Sequence, residues 1–226
     1  MDGLPTFLFL FFISIARISS KSVHQRARTA LDLKCLVSYP KSMSCHWRPQ
    51  DAAPPNTKYK LVYKMMRVNQ VQECKDYITG GPNSCYFSRE NLYLYWTYEI
   101  WIEALSRFGH KTYEKVTVNT EDIAQTEPPV SLTGDGYVTH LHVEWGYPPG
   151  VGTSFFPLMF ELRYLQEGSY EWLYDTDVGE QTSYSIYDVA PNCMYTLQVR
   201  CKHANHKGFW SEWSTALTLS TTQQSK

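Results

Sequence analysis

Apolar and polar residues alternate along most of this chain with the two-residue period of strands that bury one face. In the first half the alternating segments are LDLKCLVS (31–38), SMSCHWRP (42–49), KYKLVYKMM (58–66), SCYFSRE (84–90), YWTYEIWIEALS (95–106) and EKVTVNTE (114–121). A hydrophilic stretch, EDIAQTEPPVSL (121–132), then interrupts the pattern and contains Pro128-Pro129. Alternation resumes in THLHVEW (139–145), MFELRYLQ (159–166), YEWLYDTD (170–177), TSYSIYDV (182–189), YTLQVRCK (195–202) and STALTLST (214–221). Turn residues separate the segments, and no stretch carries the 3.6-residue period of an amphipathic helix. About seven strands in each half predict an all-β fold of two tandem β-sandwiches. Proline cannot donate to a sheet ladder, so Pro128-Pro129 marks the join and the start of the second unit.

The first residues, MDGLPTFLFLFFISIARISSKS, hold an apolar run from Phe7 to Ile15. That run is shorter than the ~20 residues of a membrane span and fits the apolar centre of a secretory signal peptide. Cleavage after Ala16 or Ser20 suits it, although Asp2 stands where a positive charge is expected. The alternative is a buried first element of the fold. With a signal peptide at 1–20, the expected units are 21–124 and 125–226. No other long apolar run follows, so no transmembrane segment is expected in this chain. The expected placement is secreted, or on the extracellular side of the plasma membrane.

Six cysteines refine this picture. In a secreted chain, close pairs read as disulfides. Cys35 and Cys45 are ten apart, and Cys74 and Cys85 eleven apart, spacings that suit neighbouring antiparallel strands. Cys193 and Cys201 lie in CMYTLQVRC, which alternates as one strand. Eight residues at ~3.3 Å each hold them ~26 Å apart, beyond the ~7 Å limit for a bridge, so they do not pair with each other.

Net charge is −1, which excludes the basic face that a nucleic-acid partner requires. Aromatic residues make up 15% of the chain, and 17 of them are tyrosines, a bias that favours strands. No nucleophile elbow, phosphate loop or zinc-protease motif is present, so catalysis is not expected.

WSEWS, Trp210 to Ser214, matches the WSxWS signature of class I cytokine receptors. Together with four cysteines in the first unit and a Pro-Pro join, it gives an organisation that resembles that family over residues 33–221. ECKDYITGGPNSCYF (73–87) and LQVRCK (197–202) are most similar to its prolactin receptor and growth-hormone receptor group. The resemblance implies two fibronectin type III-like domains and a four-helix-bundle hormone, prolactin-like or growth-hormone-like, bound at the elbow between them. It also implies a second receptor chain in the complex.

Physical chemistry supplies a role for the paired Trp-Ser motif. Trp210 and Trp213 can lie flat on the outer sheet face with Arg200 and Arg163 between them, each stack contributing about 0.5–2 kcal/mol. Ser211 and Ser214 can bond to backbone along the neighbouring strand edge. A direct hormone contact is the alternative.

The resemblance places hormone contacts in the elbow loops. Aligned on Thr97-Tyr98, Tyr95 takes the place of the family's first contact tryptophan and Trp96 stands beside it; alternatively Trp96 is a core ring, in alternation with Tyr98, Ile100 and Ile102. The family's second tryptophan aligns with Phe155, and Phe155-Phe156 are expected to be exposed in a Gly-Ser turn. Glu121 and Asp122 either face a basic hormone helix or are solvated linker charges. The resemblance further implies a zinc ion shared with the hormone through the loop HANH. Here His206 and Asn205 occupy that place, with His203 as a third candidate ligand. Structural zinc takes four ligands, so a partner would complete such a site. No other cofactor is expected. Two alternatives stand beside a hormone receptor ectodomain: a soluble subunit that pairs with a cytokine, and a fibronectin-like adhesion or spacer module.

Overall fold

The computed structural model describes residues 31–49 and 53–223, so the expected signal peptide at 1–20 lies outside the described residues. In the first half the strands are β1 (Lys34–Tyr39), β2 (Ser42–His46), β3 (Lys58–Met65), β4 (Val71–Glu73), β5 (Ser84–Ser88), β6 (Thr97–Ser106), β7 (Gly109–Thr112), β8 (Val116–Asn119) and β9 (Ala124–Thr126). The second half contributes β10 (Val130–Gly136), β11 (His140–Gly146), β12 (Leu158–Gln166), β13 (Leu173–Gly179), β14 (Ser183–Tyr187), β15 (Met194–His203) and β16 (Leu217–Ser220). The fold is all-β, with one 3₁₀ turn at Arg89–Asn91 the only helical element among the described residues.

Four sheets result. Sheet I runs β5-β2-β1-β9; sheet II runs β4-β3-β6-β7, with β8 also paired to β6. Sheet III runs β10-β11-β14, and sheet IV runs β13-β12-β15-β16. The sheets pack in two pairs. Tyr63 of β3 meets Phe87 of β5 edge-on at 5.0 Å, joining sheets II and I. Trp145 of β11 meets Phe160 of β12 at 5.5 Å, joining sheets III and IV. This is the paired-sheet architecture of fibronectin type III-like sandwiches.

Period-two patterning accounts for the cores. On β15, Tyr195, Leu197, Val199 and Cys201 are buried while Thr196, Gln198 and Arg200 face outward. On β6, Tyr98, Ile100, Ile102 and Ala104 form the inward stripe. Each fully buried aliphatic or aromatic ring contributes about 1.5–3 kcal/mol.

Both close cysteine pairs are bonded, at Cys35–Cys45 and Cys74–Cys85, while Cys193 and Cys201 are free. Their geometry differs from the neighbouring-strand expectation in one respect. Cys35 and Cys45 do face each other across β1 and β2. Cys74 follows β4 in sheet II and reaches Cys85 on β5 in sheet I, so the second bond crosses between sheets.

The hydrophilic stretch at 121–132 is more ordered than its composition suggests. Val37 donates its backbone N–H to Ile123 O at 2.9 Å, and β9 pairs in parallel with β1. The expected join at 124/125 therefore falls within β9. Three residues suffice because the side chains of Ala124 and Thr126 are both buried.

Candidate functional site

The two sheet pairs meet at an elbow made by strand ends and loops. The end of β1, the loop 89–96 and the segment 119–126 come from the first pair. Loops 147–157 and 204–216 come from the second. Tyr39 closes β1 with its ring stacked on Phe156 at 3.9 Å. Phe156 meets the edge of His203 at 4.3 Å.

Polar bonds cross the same junction. Phe209 N–H donates to Ala124 O at 2.8 Å, and Gln125 Nε2 donates to Trp210 O at 2.9 Å. Gly208 has φ of +72°, and a Cβ there would stand 2.3 Å from Ala124 O, so only glycine permits this approach. Beneath it, Thr126 Oγ1 lies 3.3 Å from the buried Cys201 thiol, whose pKa burial pushes up.

An open groove of about 740 Å³ runs along the elbow. Arg89, Tyr93 and Tyr95 line one wall, with Gly150, Gly152 and Phe155 on the other. Phe155 is 80% exposed at its rim. Trp96 precedes β6 and is half-buried, stacked on Tyr93 at 4.8 Å with the Arg67 guanidinium 5.3 Å from its ring. It therefore ends the inward stripe of β6 at the edge of the core, packed against it but only half-buried. Tyr95 donates from its hydroxyl to Phe155 O at 3.0 Å and lies 2.7 Å from the Tyr39 hydroxyl.

Three expectations for this region change. Phe156 is 1% exposed and is not a surface contact. Phe155 and Phe156 both donate their N–H to Gly152 O, and this tight turn sends one ring out and the next inward. Glu121 and Asp122 are not free linker charges: Lys207 Nζ binds Glu121 at 3.0 Å and Asp122 at 3.4 Å, with Asp122 still exposed.

The third change concerns zinc. His203 is 7% exposed, its Nδ1 accepts from Asn205 N–H at 3.1 Å, and its Nε2 lies 4.0 Å from Glu121. Burial lowers its pKa, opposed by Glu121. The Asn205 side-chain oxygen accepts from Lys207 N–H at 2.9 Å. With His203 and Asn205 engaged and the Lys207 ammonium close by, His206 is left alone on its exposed turn. The donor set does not fit a zinc ion.

The Trp-Ser motif forms a ladder on the outer face of sheet IV. Arg200 lies 5.0 Å from the Trp210 ring and 4.4 Å from Trp213; Arg163 lies 4.3 Å from Trp213 and 4.3 Å from Trp172. Lys202 adds a further rung on Trp210 at 5.0 Å. Glu161, 7% exposed, pairs with Arg200 and aims it, while Gln198 holds Arg163 at 2.6 Å. Ser211 donates its N–H to Cys201 O at 2.7 Å and accepts from Cys201 N–H at 3.1 Å. Ser214 does the same with Val199, at 2.8 and 3.1 Å. The two serines thus continue the ladder of β15 where no strand is formed. Trp210 and Trp213 each carry two cations of the chain's own strands.

Sequence reasoning did not single out Trp172, Lys202, Tyr39 or Lys207. Lys202 shares a strand face with Arg200 and was available from period two. Trp172 and Tyr39 depend on which strands lie side by side, for which no local signal exists.

Residues 20–119 match the family model described as erythropoietin receptor, ligand binding. The human cytokine receptor-like factor 1 is 33% identical over 202 residues, covering 84% of this chain and 47% of that protein. The prolactin receptor of Columba livia is 34% identical over 189 residues, 80% of this chain and 22% of the receptor. That of Bos taurus is 30% identical over 215 residues, 92% of this chain and 36% of the receptor. The chain therefore spans less than half the length of these relatives.

Proposed function

The chain belongs to the class I cytokine receptors, as ectodomain sequence, and from that membership we propose that it binds a four-helix-bundle hormone or cytokine in the elbow groove. Its relatives include prolactin receptors, and the role proposed for the chain is binding without catalysis. The observation that carries the reading is that two exposed aromatics, Phe155 and Tyr93, line one open groove. Large exposed aromatics at a concave junction are the usual energetic centre of a protein interface. Among the described residues no segment covers Phe155, which is otherwise a costly exposure on a glycine-bearing loop.

The partner would be prolactin-like or growth-hormone-like, held extracellularly, with a second receptor chain completing the complex. Prolactin receptors and a cytokine receptor-like factor match with nearly equal identity, 34% and 33%. For that reason the hormone must be found by experiment. Among the described residues no helix is long and apolar enough to cross a membrane.

Titration of the purified chain with prolactin and with growth hormone tests the proposal. Binding that Phe155→Ala weakens by about 2 kcal/mol or more is expected, the scale of an interface hot spot. Absence of binding to both hormones would overturn it.

A further inference from the structure

The loop that carries Phe155 has little of its own to hold it in place. Gly150 and Gly152 interrupt it, and its internal backbone bonds are Val151 N–H to Pro148 O at 3.3 Å and the two amides sharing the Gly152 carbonyl. Contacts from outside secure it: Phe156 stacks on Tyr39 and meets the edge of His203, Ala204 N–H donates to Pro157 O at 2.9 Å, and the Tyr95 hydroxyl donates to the Phe155 carbonyl.

Tyr95 reaches across the groove from a backbone that is itself unusual. Its φ of 64° lies in the left-handed region, which a bulky non-glycine residue adopts only when its surroundings impose it. What imposes it is visible in its hydroxyl, which gives its proton to Phe155 O and accepts one from Tyr39. Burial first, and then the Tyr39 bond, raise the Tyr95 pKa well above the usual tyrosine range. The phenol is consequently a hydrogen-bond donor throughout the physiological pH range. Exposure divides the groove's aromatics by role, since Tyr95 is 38% exposed against 49% for Tyr93 and 80% for Phe155.

We propose that Tyr95 is a positioning residue: its hydroxyl clasps the Phe155 loop across the elbow and sets the spacing of the two groove walls. Its part in recognition, which rests on the hormone-binding reading above, is to preorganise Phe155 before the partner arrives. A preset wall spares the partner the entropy of ordering the loop.

Tyr95→Phe tests this, because it keeps the ring and removes only the hydroxyl. Backbone amide exchange across Gly152–Phe156 is expected to quicken about tenfold, the scale of one lost hydrogen bond, while sheet amides that exchange by local opening stay as they were. Tyr39→Phe should give a smaller acceleration, because Tyr95 still donates to Phe155 O. With prolactin as the probe, Tyr95→Phe should slow association more than it speeds dissociation.

Unchanged exchange at Gly152–Phe156 in Tyr95→Phe overturns the proposal. So does faster exchange spread over the whole chain, which would be a folding defect, or lost affinity through faster dissociation with unchanged exchange, which would make Tyr95 a direct contact. If the unaltered chain binds neither prolactin nor growth hormone but the local exchange effect is present, the clasp stands and the hormone reading falls.

Discussion

Between sheets I and II the chain is closed covalently: Cys74, just past β4, is bonded to Cys85 on β5, and Cys35–Cys45 ties β1 to β2. Between sheets III and IV there is no such bond. Cys193 and Cys201 are free, and the outer face of sheet IV carries instead a stack of three tryptophans, two arginines and a lysine. The two halves share an architecture and differ in where their added stability resides. A disulfide acts chiefly by restricting the unfolded chain. A cation–π ladder exists only in the folded state, because the register of β12 on β15 must bring Arg163 and Arg200 to one face. Supports of the first kind tolerate local change, whereas those of the second fail when one ring is removed.

Breaking the first support should have the largest effect. Cys74→Ala/Cys85→Ala is expected to lower the unfolding free energy of the first sheet pair by about 3 kcal/mol, as loop closure of this length implies. Differential scanning calorimetry checks it, and a dithiol reductant should lower the same transition while leaving that of sheets III and IV in place. If reduction moves both transitions equally, the two halves unfold as one and the comparison fails.

Trp213 holds two rungs, on Arg200 and Arg163, so Trp213→Ala should cost about 2–3 kcal/mol in the second transition. Secretion from an expressing cell should fall accordingly, with the affinity of the secreted fraction unchanged. A normally secreted Trp213→Ala protein that no longer binds hormone would make the ladder a contact surface. Ser214→Ala leaves the buried Val199 N–H without its acceptor and should cost about 1 kcal/mol, readable in urea denaturation.

The smallest expected effect concerns the elbow that joins the halves. Burial lowers the His203 pKa below its ordinary 6.5, so near that pH the folded chain binds fewer protons than the unfolded one. Stability is therefore complete above the ordinary value and declines as pH falls through it. Thermal midpoints measured from about pH 7.5 to about pH 5.5 should drop, and His203→Gln should flatten that drop. An unaltered slope in His203→Gln would assign the pH dependence elsewhere.

Much of this was legible in the chain. The strand pattern of β6, β11, β12 and β15, the two bonded cysteine pairs, the separation of Cys193 from Cys201, and the backbone bonding of Ser211 and Ser214 follow from period two and residue chemistry. Phe155 and Phe156 show where such reading stops. Adjacent and chemically identical, they differ by 80% against 1% exposure because one tight turn at Gly152 separates their directions. Likewise Glu121, Asp122, His203 and Asn205 read as available charges and ligands, yet Lys207 from the facing loop pairs with both acids, Glu121 stands by His203, and Asn205 and His203 bond to backbone amides of their own loop.

By itself, then, the sequence determined the elements: which residues alternate, which cysteines are near enough to pair, and which rings and cations share a strand face. Those are consequences of local geometry, where a fixed period decides the side of each side chain. Tertiary structure alone decided who meets across the elbow: Tyr39 on Phe156, Tyr95 on the Phe155 carbonyl and Lys207 on Glu121. These contacts join residues far apart in the chain, and no local period specifies which distant loops will face each other once two sheet pairs have packed.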